Sequence, residues 1–166
     1  KYIEIILTLI ELYLPLYHNK TQKIMLTLFA TKKSKAHKSH IMNLVQLAKA
    51  DGKISRSESG LLIKIGERNG VSPEEVFEMV DASDDFFYKK PETDSQRFNQ
   101  LYDLVEMMQI DGEVSPKELT YTISIAEKMG VRKAVAWILV QSLVDGMALD
   151  LSKEELNARA AEYLFM

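Results

Sequence analysis

The sequence predicts an all-α protein, an internally duplicated helical bundle of about seven to nine helices. Three observations predict it. Apolar residues fall at helical spacing from Ser39 to the end, and nowhere is a period-two alternation sustained. Helix starts and stops are spelled out by Ser-x-x-Glu boxes and by glycines. One segment, Leu44 to Val71, aligns without a gap on Leu104 to Val131, sixty residues later.

The elements follow in order. Residues 2–14 read as a broad-faced apolar helix, with Ile3, Ile6, Leu7, Ile10 and Leu14 on one side. Glu4, Glu11 and Pro15 break the apolar stretch Tyr2 to Tyr17, and it is too short for a transmembrane span. It also lacks the basic start and small-residue cleavage site of a signal peptide. The chain begins with Lys1 and its first methionine is Met25. The expectation is therefore that the native start is Met25, leaving residues 1–24 outside the native protein, or that Lys1 begins a fragment. A second helix is expected over 21–30. Lys32, Lys33, Lys35 and Lys38 then make a basic run without an acid, read as a solvated linker, with a contact to anionic lipid or nucleic acid as the alternative. His37 and His40 within it read as a solvated pair rather than a zinc site, because no third ligand is near.

From there the spacing predicts helices over 40–51, 56–69, 74–82, 95–111, 116–129, 132–145 and 153–164. The first stops at Asp51-Gly52, and Ser55 with Glu58 opens the next. Ser72 with Glu75, Ser115 with Glu118 and Ser152 with Glu155 repeat the same box, and Pro73 and Pro116 sit at first helical positions, where a missing N–H costs nothing. The polar stretch 81–94 is the clearest loop. Trp137, within Ala-Val-Ala-Trp-Ile-Leu-Val, is expected in the core. Met107, Met108, Met129 and Met147 are expected to fill gaps there. The chain thus divides into an N-terminal extension, 1–38, and a helical domain, 39–166, with repeat units at about 44–71 and 104–131.

Composition narrows the chemistry. A chain of 166 residues can bury about 70% of its unfolded surface, so it needs no covalent staples. It has no cysteine, which excludes disulfides, thiolate metal sites and a cysteine nucleophile. A net charge of −3 argues against nucleic acid as a partner. No phosphate-binding glycine loop, nucleophile elbow or His-Glu-x-x-His motif is present.

The repeat holds Leu44, Val45, Asp51, Gly52, Ser55, Glu58, Ile63, Ile65, Glu67, Gly70 and Val71 unchanged at the second copy. A core accounts for the aliphatic matches but not for the acids. Two fused helical hairpins, packed about a pseudo-two-fold axis, are the economical explanation. Asp51 to Glu58 imitates the second half of an EF-hand loop. The positions that would supply its first ligands, however, are Leu47 and Lys49 in one copy and Met107 and Gln109 in the other. Glu58 and Glu118 fit a capping role. Asp51 and Asp111 are harder to explain, since an acid in the last turn opposes the helix dipole by about 0.3–1 kcal/mol. An Asx-turn can recover that cost. The other reading is a functional patch in which Asp51, Glu58, Asp111 and Glu118 hold Mg²⁺ or Ca²⁺, or meet a protein.

Ala48, Ala50, Asp51, Gly52, Ile54 and Glu58, with the partner run Ile110 to Ser115 and Glu118, resemble the TerB-like (tellurite-resistance) domains. The resemblance covers about Ser39 to Phe165. It implies an all-helical, duplicated, non-enzymatic bacterial domain linked to tellurite resistance or stress response. It also implies an acidic patch that binds a metal ion or a protein partner, and a cytoplasmic location. TerB-like domains also occur in membrane-anchored co-chaperones. This gives the alternative of a membrane-associated interaction module or adaptor, touching the inner face of the membrane through residues 2–17. No His-Pro-Asp motif accompanies it, so J-domain activity is not implied. Met108 stands where the first unit has the small Ala48, so the two copies cannot pack identically. A metal-dependent enzyme built on the same four acids is the remaining reading, and it lacks a candidate base or nucleophile.

Overall fold

A computed structural model describes residues 34–50, 52–81 and 87–164. The two expected helices at 2–14 and 21–30, and the apolar face with them, lie outside the described residues. Contacts divide the chain into two compact units, Lys1–Lys35 and Ala36–Met166. Nearly all the described residues belong to the second.

The fold is all-α. Seven helices stand among the described residues, and no strand does. They are α1 (34–48), α2 (Arg56–Arg68), α3 (Pro73–Asp81), α4 (Asp94–Gln109), α5 (Pro116–Met129), α6 (Lys133–Ala148) and α7 (Lys153–Leu164). The described part of the basic run is helical. Lys38 bridges to Glu75 of α3 at 2.6 Å, and Ser39 accepts the Lys89 N–H at 2.8 Å.

Helix α4 is the hub, packing on α2, α5, α6 and α7. Its sequence explains this. Phe98, Leu101, Leu104, Val105, Met107 and Met108 are all buried, giving an apolar stripe broad enough to serve several neighbours. Ile41, Leu44, Val45, Leu47 and Ala48 of α1 join the same core, as do Leu62 and Ile65 of α2 and Ile125 and Met129 of α5. Of the methionines expected as filler, Met107, Met108 and Met129 are buried and Met147 packs at the core's edge.

The boxes form as written. Ser55 and Ser115 each accept from the backbone N–H of the glutamate three residues on, and each glutamate reaches back to the serine N–H. Thr93 with Gln96 does the same for α4, a start that the sequence pattern alone assigns to loop. Helix α6 has no side-chain cap; Arg132 stands at its start.

Three helix-to-helix corners share one construction. At the end of α2, the Val71 N–H donates to the Gly66 carbonyl (2.9 Å). After α5, Val131 donates to Ala126 (3.1 Å), and after α6, Leu151 donates to Gly146 (3.0 Å). These are Schellman closures, which satisfy carbonyls that a helix end would otherwise strand. Ten residues beyond each acceptor stands a buried aliphatic residue of the next helix: Val76, Ala136 and Leu156. The acceptors themselves are Gly, Ala and Gly. The left-handed residue of the turn is glycine twice, and Asp150 (φ 54°) the third time.

Trp137 corrects the sequence-based expectation. It is 55% exposed, not core. Ala136, Leu139, Val140, Leu143 and Gly146 take the buried stripe of α6, and at 100° per residue Trp137 and Ile138 fall largely outside it.

Candidate functional site

The described parts of the two Asp-Gly turns share backbone features. The Gly52 N–H donates to the Lys49 carbonyl (2.9 Å) and the Gly112 N–H to Gln109 (3.0 Å). Both glycines have positive φ, 102° and 82°, the left-handed region that a Cβ disfavours. Capping boxes at Ser55 and Ser115 follow, so the described parts of the two connections share these hydrogen bonds.

The four predicted site residues do not share one environment. Asp51 lies outside the described residues. Glu58 is buried, its Oε2 accepting the Ser55 N–H at 2.6 Å. Glu118 is buried likewise, its Oε2 3.0 Å from the Ser115 nitrogen. Asp111 is exposed, together with Ile110, Gly112 and Glu113. One carboxylate oxygen of each glutamate is thus committed to a helix start. Among the described residues, no group of three or more His, Asp or Glu stands ready to hold a metal ion.

If capping is what Glu118 supplies, glutamine should replace it well, as Gln96 does at α4. Glu118→Gln is expected to unfold within about 0.5 kcal/mol of the parent in urea, whereas Glu118→Ala should lose about 1 kcal/mol.

A second cluster escapes the sequence motifs. His40 is 3% exposed and donates through Nε2 to Asp103 Oδ2 at 2.8 Å. Arg68 Nη2 donates to the other oxygen, Oδ1, at 2.6 Å. Asp103, 2% exposed, so ties α1 and α2 to α4. Burial by itself would push its carboxyl up, but the hydrogen bonds and charges of His40 and Arg68 outweigh that and hold it below its ordinary value. His37 Nδ1 meets the Asn69 carbonyl at 2.5 Å. The histidines are therefore not a solvated pair: α1 turns His40 onto the core side, where a partner carboxylate makes its burial tolerable. The available signal was positional. Asn43 and Asp103 occupy matching places sixty residues apart, polar in both copies amid aliphatic neighbours.

Asn43 is fully buried, and among the described residues neither its Oδ1 nor its Nδ2 has a hydrogen-bond partner. Burial also raises the phenols of Tyr88, to about 12, and of Tyr121. No helix among the described residues is long and apolar enough to cross a membrane.

No family model, curated protein or solved structure matches the chain.

Proposed function

We propose that the chain is a non-enzymatic binding domain of the TerB-like type, whose second Asp-Gly turn recognises a protein partner. One observation carries this reading. Ile110, Asp111, Gly112 and Glu113 are exposed as a continuous run, while the neighbouring Glu118 is folded back into its own helix start. An exposed isoleucine beside two acids offers an apolar anchor with a charged rim, the composition of a small protein-recognition patch. It suits a partner that presents a basic residue next to an apolar one. The link to tellurite resistance or stress response, like a bacterial cytoplasmic setting, comes from the sequence resemblance alone.

A photo-crosslinking residue placed at Glu113 in cells tests the proposal. A discrete protein adduct that disappears with Asp111→Asn is expected; absence of any adduct would count against it. Calorimetry of the metal-stripped chain with Ca²⁺, Mg²⁺ and Zn²⁺ covers the cation alternative. Saturable heat that vanishes in Asp51→Asn/Asp111→Asn would replace protein recognition with ion binding.

A further inference from the structure

Helix α6 is apolar nearly all round, and a helix of that kind belongs in an interior. Its buried stripe faces α4, α5 and α7. The opposite face presents Ala134, Trp137, Ile138, Gln141, Asp145 and Ala148, of which only Gln141 is less than exposed. Trp137 and Ile138 are 55% and 43% exposed. Leaving two such side chains in water forfeits a large part of what burying them would gain.

The charges bordering this face are sorted by end. Arg132 and Lys133, both exposed, stand at its start, and Asp145 and Asp150, both exposed, stand toward its finish. Lys133 and Asp145 are separated by about 18 Å along the axis at about 1.5 Å per residue. This arrangement is self-complementary. A second α6 laid antiparallel sets each basic end against an acidic end, and it also opposes the two helix dipoles.

We infer that α6 is the contact between two copies of this chain, paired antiparallel about a two-fold axis near Leu139 to Gln141. Trp137 of each copy then packs on the second copy's Ile138 and Gln141, and Lys133 meets the second copy's Asp145. The same surface serves both copies, as a closed two-fold interface requires. The contact is separate from the Asp-Gly turn, so either inference can fail alone.

Sedimentation velocity of the full chain from micromolar to millimolar concentration tests it. A monomer–dimer equilibrium is expected, and the emission of Trp137, the sole tryptophan, should move to shorter wavelength along the same concentration curve. Trp137→Glu should weaken dimerisation at least tenfold, with unchanged helical circular dichroism. Lys133→Glu should weaken it too, and adding Asp145→Lys should restore it. Lys64→Glu, an exposed change on α2, should have no effect. A monomer at every concentration, or a dimer indifferent to Trp137→Glu, would overturn the inference. So would a charge exchange that fails to restore pairing.

Discussion

Replacing Asp103 by alanine is expected to cost about 3–5 kcal/mol of folding stability, the range for breaking a buried ion pair from one side. The loss exceeds that of an ordinary polar deletion because one carboxylate serves two partners on two other helices. Without it, the His40 Nε2–H is left buried with no acceptor. Arg68 is half-exposed and can turn to water, which places the expected value toward the lower end of the range. Asp103→Asn should lose less, since the amide retains an acceptor oxygen. Urea unfolding of the three proteins at neutral pH gives the comparison.

The same carboxylate sets a pH dependence whose sign is fixed. Asp103 is held below its ordinary value of 3.8 in the folded chain. Its contribution is therefore complete above that value and is lost as the pH falls through the lowered folded value. The parent should outlast Asp103→Asn at neutral pH, and the difference between them should close in acid below about pH 4. A gap that stays constant into strong acid would show that the carboxylate's charge is not what stabilises α1 and α2 on α4.

Replacing Gly66 by valine is expected to cost about 3 kcal/mol, at the upper end of the range for overpacking. A Cβ at residue 66 would stand 2.7 Å from Val76 Cγ2 and 3.3 Å from the Val71 carbonyl oxygen. The first neighbour is a stiff β-branched side chain and the second is backbone, so neither gives way cheaply. A Cβ at Gly146 would press as hard on Leu156 Cδ2, but there the obstacle is the end of a longer and more adaptable side chain. The corner after α5 suggests the compensating change, for alanine stands there at both Ala126 and Ala136. In a double-mutant cycle, Gly66→Ala with Val76→Ala should be less harmful than the sum of the single changes, with a coupling of about 0.5–3 kcal/mol. Strict additivity would mean that the two residues do not limit each other's size.

Much of the fold was legible because it is governed by local chemistry. Residues 116–129 and 153–164 were bounded to the residue, since Ser-Pro-x-Glu and Ser-Lys-Glu-Glu satisfy orphan N–H groups by sequence-local hydrogen bonds. Helix α4 begins a residue earlier than expected because Thr93 and Gln96 form a box in which glutamine replaces the usual acid. Helix α1 begins well before residue 40, because Lys38 and Ser39 find partners on α3 and on the segment before α4 that no local pattern announces.

The candidate site was half legible. The turns, their left-handed glycines and the capping duty of Glu58 and Glu118 were readable from residue types at fixed offsets. Which acids face solvent was not, because Ile110 to Glu113 owe their exposure to where α4 and α5 meet the rest of the bundle. Trp137 shows the limit most clearly. An unbroken apolar run records no direction, so periodicity could not say which side of α6 is buried. His40 erred the other way, since a basic run hides a residue whose acceptor is sixty-three positions distant.

The helices, their starts and stops, and the left-handed glycines of the Asp-Gly turns are written into the chain locally, because capping and left-handed turns are settled within a few residues. That Asp103 joins three helices, and that Trp137 and Ile138 of α6 are exposed, emerges on packing alone. Burial and long-range pairing depend on which elements come together, and that is a property of the assembled bundle.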